Sequence, residues 1–423
     1  MYEQLKGKRL LVIGSAEIDA NIVNAAHEMG IYVIVADGVK KSTATFAKNL
    51  ADEAWDIDYR DTETVAQKCR ENGVDGVLAG YSEFRVAAAC RIANCIGCPF
   101  YATLDQIELT RNKRRFKDTC RKYGVQVPTD YRSEDMDKAE YLAGVRFPVI
   151  VKPTDAAGRK GITICQEASQ LGKAIALARS QSVTGTIVIE EYVKGIEFVA
   201  VYTLQDGHSS LSCFNEKYLD KESTSGLCDL ALAPSSYLDQ YIGSCDQPVR
   251  AFLKGIRAEN GVAFFQGIVT QDRVVVFEMG YRLNGGNDYF IADKENGINY
   301  MKMLISHSLT GKMEGDLDLD KPRFGRYYAN FLLYAHAGTV GRVKFHGTMD
   351  KEGLEDIHIK KVAGMTVKDD GSTQQCAFTF KLSADSRQGI IDLIHYCQAN
   401  AEMTDEHGNN MLFSPFDASV LNT

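Results

Sequence analysis

FPVIVKPTDAAGRKGI, residues 147–162, is the stretch on which the reading of the whole chain turns. Its first seven residues, Phe147 to Pro153, are an apolar, β-branched run of strand length that carries one cation, Lys152. Directly after it comes DAAGRKG, residues 155–161, a polar turn with Gly158 and Gly161. Glycines let backbone N–H groups approach an anion closely, and Arg159 and Lys160 add charge, which is what a polyphosphate needs from a mobile cover. The turn lacks the GxxxxGK[ST] spacing, and alone it reads equally well as a basic surface hairpin.

Its neighbours strengthen the case. TIVIEEYVKGIEFVAVYTL, residues 186–204, reads as two strands joined at Val193 to Gly195. An extended connector of this kind offers backbone groups to the edge of an adenine, so Glu190, Glu191, Tyr192 and Val193 are the candidate hinge. Seven residues after Glu190, Glu197 is placed to take ribose hydroxyls. FFQGIVTQDRVVVFEMGYRLNGG, residues 264–286, reads as a hairpin turning at Gln271 to Arg273, with Glu278 on its second strand. A carboxylate beside a triphosphate is repulsive unless a divalent cation intervenes, so Glu278 is the candidate Mg²⁺ ligand.

Upstream, Arg9 to Ile13 and Tyr32 to Ala36 read as strands around a helical stripe of Ile18, Ile22, Val23, Ala26 and Met29. A strand in DEAWDIDY (52–59), a helix over 62–72, the strand 73–80 and a helix through 86–93 repeat the pattern, predicting a parallel, doubly wound, Rossmann-like unit that ends near Asn112. Its first turn, GSAEID, has one glycine, Gly14, where a dinucleotide fingerprint wants three, and Glu17 and Asp19 would repel a pyrophosphate. Nicotinamide binding is therefore the least favoured reading, and both acids are explained as helix-start residues.

The chain has 423 residues, enough for two or three domains with cores of their own. Hydrophobic residues are 45% and charged residues 25%, which excludes disordered, collagen-like and coiled-coil classes. The net charge of −8 argues against a nucleic-acid partner. The apolar run before Gly14 is too short for a signal or a membrane span, and the eleven scattered cysteines read as reduced thiols, so a cytoplasmic location is expected. Cys95 and Cys98 have CxxC spacing without a second pair, and read as small buried thiols.

Taken together, TRNKRRFKDTCRKYGVQVP (110–128), VKPTDAAGRKGI, EEYVKGIEF and FEMGYRLNGG occur in the order of the ATP-grasp superfamily, which the chain resembles over most of its length. The resemblance implies mixed α/β and α+β architecture: a Rossmann-like pre-grasp domain over 1–112, an ATP-grasp domain over 113–322 with a lid at about 123–195, and a smaller C-terminal α+β domain over 323–423. It implies ATP and Mg²⁺, with Mn²⁺ able to substitute. Lys113 and Lys152 would bind phosphates, Gly158 to Gly161 with Lys160 would be the lid, Glu190, Glu191 and Val193 the adenine hinge, and Glu197 the ribose carboxylate. Lys217, in NEKYLD, would be a further phosphate contact. Arg282 would hold the substrate carboxylate or the phosphoryl oxygens, with Asn284, Gly285 and Gly286 close to the intermediate.

Two positions depart from the family. Gln266 stands where a carboxylate is usual on the first hairpin strand, and Gly280 stands where an Asn follows the key Glu. An amide oxygen still ligates Mg²⁺ and water can stand in for the Asn, so one firm metal site at Glu278 is expected. The last hundred residues resemble biotin-carboxylase-like members loosely. His336, His346 and His358 show no metal spacing and read as surface or packing histidines, and DLDLDK (316–321) reads as a solvated linker.

The expected activity is that of a ligase that activates a small carboxylate as its acylphosphate and joins it to an amine, releasing ADP and phosphate. Its partners would be small molecules, with neither nucleic acid nor membrane involved, and a homodimer is allowed. Alternatives are activation of bicarbonate, as in carbamoyl-phosphate synthase or biotin carboxylase, and a non-catalytic ATP-binding regulator.

Overall fold

The computed structural model describes residues 2–42, 45–154, 161–220, 226–286 and 288–422. Strands β1 (Arg9–Ile13), β2 (Tyr32–Ala36), β3 (Glu53–Trp55) and β4 (Gly76–Leu78) form a parallel sheet in the order β3-β2-β1-β4. The residues of β1 and β2 are nearly all buried, as expected of a sheet covered by helices on both faces. The expected strand in 52–59 is confined to Glu53–Trp55, and that in 73–80 to Gly76–Leu78. The flanking helices are Thr62–Glu71 and Glu83–Ile96.

Thr103, with Gln106, makes a capping box for helix Leu104–Arg111, and Asn112 caps the helix Lys113–Lys122 through Arg115 N. β5 (Asp130–Tyr131), β6 (Val149–Pro153), β7 (Thr163–Cys165) and β8 (Ile187–Glu191) then make a separate sheet, β5-β8-β6-β7. It has its own small core of Val149, Val151, Cys165, Leu171, Ala174, Ala178 and Ile189.

The two strands expected in 186–204 are present, and they lie in different sheets. β8 ends the small sheet, and β9 (Ile196–Gln205) is a central strand of an eight-stranded sheet. The connector between them is therefore a crossing from one sheet to the other. Gly195 is required there, because a Cβ would stand 2.2 Å from the Val269 carbonyl.

The large sheet continues with β10 (His208–Leu219), β11 (Cys228–Ala233), β12 (Gly261–Val269) and β13 (Val274–Gly280), the last two forming the expected hairpin. The C-terminal strands are β14 (Tyr327–Tyr334), β15 (Gly338–Phe345), β16 (Leu354–Ile359), β17 (Thr366–Val367), β18 (Cys376–Ala384) and β19 (Ala401–Asp405). β15, β17 and β19 form a small sheet, whereas β14, β18 and β16 extend the large one, whose order is β13-β12-β9-β10-β11-β14-β18-β16. The expected boundary at 322/323 is thus crossed by continuous backbone pairing between β11 and β14. Helix Tyr300–Thr310 lies almost wholly buried between β4 and β12, so the N-terminal unit and the large sheet share one hydrophobic core.

Candidate active site

Register places the site. Side chains directly opposite on paired antiparallel strands share a face of the sheet, as do residues two apart on one strand. Pairing runs Ile268, Glu197, Lys217, Ala231, Asn330, Lys381, Asp356 across β12, β9, β10, β11, β14, β18 and β16. The next row on that face holds Glu278, Gln266, Val199 and Asn215. One face therefore gathers Glu278, Gln266, Glu197, Lys217, Asn215, Asn330, Lys381 and Asp356, residues scattered over about half the chain.

Glu278 and Gln266 are cross-strand neighbours. Glu278 is exposed and, among the described residues, has no ion-pair partner, while Lys113 acts on it through space. Burial and the nearby Lys152 hold the Lys113 ammonium below its usual range, and Lys113 Nζ donates to the Pro153 carbonyl at 3.0 Å. Lys152, on β6, ion-pairs with Glu190 Oε2 at 2.8 Å, and Lys117 with Glu190 Oε1 at 2.5 Å. Glu190 is only 1% exposed; burial would raise its pKa, and Lys152 and Lys117 together hold it below the ordinary value. Its side chain is thus a counterion that ties the small four-stranded sheet to the helix Lys113–Lys122. Glu191 is likewise paired, with Arg273, and accepts from Thr129.

Along the connector, Glu191 N donates to Thr129 O at 2.9 Å and Tyr192 N to Pro148 O at 3.1 Å. Among the described residues the N–H of Val193 makes no such backbone bond. Gly161 precedes β7, while Gly158 and Lys160 lie outside the described residues.

Arg282 stacks on the Phe264 ring at 4.9 Å and donates from Nε to Glu83 Oε1 at 2.6 Å. Glu83 opens helix Glu83–Ile96 of the N-terminal unit. Phe264 also explains Gly280. The two are cross-strand neighbours, and a Cβ on Gly280 would stand 2.4 Å from Phe264 Cε1. This corrects the expectation that water fills the place of the family's Asn: an aromatic ring fills it. Among the described residues no cluster of three or more His, Cys, Asp or Glu could hold a metal. The donor set that remains, the Glu278 carboxylate and the Gln266 amide oxygen, fits one hard divalent cation completed by phosphate and water oxygens.

Beyond Arg282 the chain crosses the sheet face. Asn284 Nδ2 donates to Asp288 Oδ2 at 2.5 Å, and Asn330 Nδ2 donates to Gly286 O at 2.5 Å and to Asp288 Oδ1 at 3.2 Å. Asp288 is wholly buried, which raises its pKa against the bonds from Asn284 and Asn215. The Asn284 Oδ1 is buried and has no partner among the described residues. Gly285 lies under Ile18, whose Cδ1 is 4.0 Å from where a Cβ would stand.

Glu17 and Asp19 also require correction. Asp19 is fully buried and takes hydrogen bonds from Ala16 N and Arg85, not from its own helix; burial raises its pKa to about 6. Glu17 pairs with His358 and Lys360, so His358 is not an idle packing residue. In the expected solvated linker, Asp316 and Asp318 are exposed, but Asp320 turns inward and accepts from Ser212 Oγ at 2.6 Å.

Residues 112–306 match the family described as "Carbamoyl-phosphate synthase L chain, ATP binding domain". These residues are an ATP-grasp domain. The chain is 26% identical over 225 residues to the 2-oxoglutarate carboxylase small subunit of Hydrogenobacter thermophilus, covering 50% of this chain and 48% of that one. It spans about half the length of the curated relatives it matches. Its fold is similar to that of the L-amino acid ligase of Bacillus licheniformis, with TM-score 0.79, 17% identity, and coverage of 95% of this chain and 99% of the other. It is similar also to the biotin carboxylase domain of the H. thermophilus 2-oxoglutarate carboxylase, solved with MgADP and bicarbonate, with TM-score 0.77, 18% identity, and 96% and 91% coverage. No helix among the described residues is long and apolar enough to cross a membrane.

The sequence reading missed Lys117, Glu83, Phe264, Asp288 and Asn330. Lys117 had a signal, being one helical turn after Lys113. So did Asn330, a lone amide in YYANFLLY. Glu83, 199 positions from Arg282, had none.

Proposed function

We propose that this chain is an ATP-dependent ligase that converts a small carboxylate to its acylphosphate and passes the acyl group to an amine. The observation that carries the reading is the polar face of the large sheet, with Glu278 and Gln266 at one end, near Lys113, and the loop of Arg282 to Gly286 laid across it. In this reading Lys113 and Lys152 bind phosphate oxygens with Lys217, Lys160, Gly158 and Gly161 supporting them. Val193, with the Glu190 and Glu191 backbone, meets the adenine, and Glu197 meets the ribose. Glu278 and Gln266 hold one Mg²⁺, or Mn²⁺ in its place, which supplies charge neutralisation at the transferred phosphoryl group.

The substrate carboxylate oxygen attacks the γ-phosphorus, and the bond to the ADP oxygen breaks. The amine nitrogen then attacks the acyl carbon, loses a proton to solvent, and inorganic phosphate leaves. Arg282 acts on the carboxylate or the phosphoryl oxygens, its guanidinium preset by Phe264 and Glu83 so that little reorganisation is needed as charge builds. Asn284, Gly285 and Gly286 line the approach of the nucleophile. The lid's own small core, and its attachment to the body through ion pairs, support its moving as a unit to exclude water from the acylphosphate. The free state of all eleven thiols supports a reducing, cytoplasmic setting, and a homodimer remains part of the proposal.

The test is incubation with ATP, Mg²⁺ and pooled amino acids and other carboxylates, reading ADP and phosphate release and then the product by mass spectrometry. Turnover that falls by about a hundredfold or more in Glu278→Gln is expected for loss of the cation site; no turnover above that variant refutes the ligase. A second reading, bicarbonate activation, is favoured by the bicarbonate in the H. thermophilus neighbour. ATP hydrolysis stimulated by bicarbonate alone would select it. Nucleotide binding without turnover in any mixture would select a regulator, a role for which Gln266 and the Phe264 ring beside Gly280 argue.

A further inference from the structure

At the far end of the polar face, five charged side chains from three parts of the chain meet. His358 Nδ1 donates to Glu17 Oε1 at 2.9 Å, Lys360 Nζ pairs with Glu17 Oε2 at 3.1 Å, and His358 Nε2 donates to Asp356 Oδ2 at 2.9 Å. Lys381 Nζ pairs with the same Asp356 oxygen at 2.9 Å and lies 5.3 Å from the centre of the Phe290 ring. Asp356 and Lys381 belong to the row that includes Asn330, Lys217 and Glu197, and His358, two residues after Asp356, shares their face.

Three observations put this cluster beside the Asn284–Gly286 segment, which the ligase reading gives to the second substrate. Asn330, which fixes Gly286, is the cross-strand neighbour of Lys381. Ile18, next to Glu17, covers Gly285. Glu17 itself stands in the turn after β1, beside the crevice between β1 and β4 where the order of the parallel sheet reverses, the place where such sheets receive ligands.

We propose that His358 and Lys360 are the anchoring subsite for a carboxylate of the second substrate, and that Glu17 occupies this subsite while that substrate is absent. Each oxygen of the Glu17 carboxylate takes one donor, which is the geometry a free carboxylate would adopt there. Glu17 reaches the pair from another part of the chain, on a short turn, and its side chain is 20% exposed, so rotation about its own bonds suffices to vacate the position. With Glu17 in place the bonds to Asp356 and to Glu17 raise the His358 pKa to about 9, and the Asp356 bond at 2.9 Å does not depend on Glu17. The assignment rests on the ligase reading for its purpose but not for its test.

The test is binding of acetate to the full chain without nucleotide, read from the assigned ¹³C-labelled His358 ring resonance, in parent protein and in Glu17→Gln. A site filled internally nine-tenths of the time loses about tenfold in apparent affinity, so Glu17→Gln should bind acetate about tenfold more tightly than the parent. Inorganic phosphate should bind no more tightly than acetate. Glu17→Ala gives the same comparison without an amide that could itself rest on the cations, and the urea midpoint of each variant confirms folding. Equal acetate affinity in all three proteins, or a gain for phosphate but not acetate, overturns the proposal. Because no turnover is read, this failure leaves the ligase reading standing, and loss of turnover leaves this result standing.

Discussion

Glu190→Gln removes the single carboxylate that two ammonium groups share. Lys117 keeps a second partner, Asp130, at 2.5 Å, so the cation left without compensation is Lys152, which is 9% exposed. At an effective dielectric of about 20, a charge pair at the observed 2.8 Å attracts by about 6 kcal/mol, most of it offset by desolvation of both groups. Removing one partner of a buried pair costs about 3–5 kcal/mol. The surviving Lys117–Asp130 pair and the acceptor oxygen of the Gln amide place this change at the lower end, about 3 kcal/mol. The assay is urea unfolding, chosen because guanidinium salts screen ion pairs. The double variant Glu190→Gln/Lys152→Met, which deletes the orphaned charge, should recover at least half of the loss. A non-hydrolysable ATP analogue should stabilise Glu190→Gln more than the parent, since phosphate then supplies the missing anion. A cost below about 1 kcal/mol, or no recovery in the double variant, would refute the view that Glu190 is the buried counterion of Lys152.

Gly280→Ala should destabilise the protein by about 1–3 kcal/mol through overlap with the Phe264 ring, and in a double-mutant cycle Phe264→Ala should relieve that penalty; additive effects would contradict the packing account. Glu83→Gln should lower kcat more than it raises KM, because Arg282 keeps its ring contact but loses its fixed orientation; an unchanged kcat would remove Glu83 as a positioning residue. The Glu17–His358 contact has a defined pH window. Glu17 is lowered from 4.5 to about 2, despite burial that opposes this, by its bonds from His358 and Lys360, so its contribution is present above pH 4.5 and lost as pH falls through about 2. His358 is raised from 6.5 to about 9, so its contribution is full below pH 6.5 and lost as pH rises through about 9. The stability difference between parent and His358→Gln should therefore be greatest between pH 4.5 and 6.5 and vanish above 9; a difference that grows with pH would reverse the assignment.

Much of this protein follows from local pattern. Apolar runs such as RLLVI and FPVIV have the pattern of strands, and the 264–280 hairpin follows from its short turn, but the bulge between Gln266 and Gly267 that sets Glu278 opposite Gln266 is not written in that turn. The order of Lys113, Lys152, Glu197, Glu278 and Arg282 likewise lay in the sequence, because each sits at a recognisable place on an element. Tertiary structure alone decided how these elements share sheets. It placed β8 and β9 in different sheets, extended the large sheet with β14, β18 and β16, and brought Glu83 to Arg282 and Glu17 to His358 across about 200 and more than 300 positions. Periodicity reports which face of a strand is buried, but not which strand lies beside it, because backbone hydrogen bonds are the same for every partner. Gly280 shows the division most plainly. Its sequence position marked a missing ligand, and only packing revealed that a phenyl ring stands in the space.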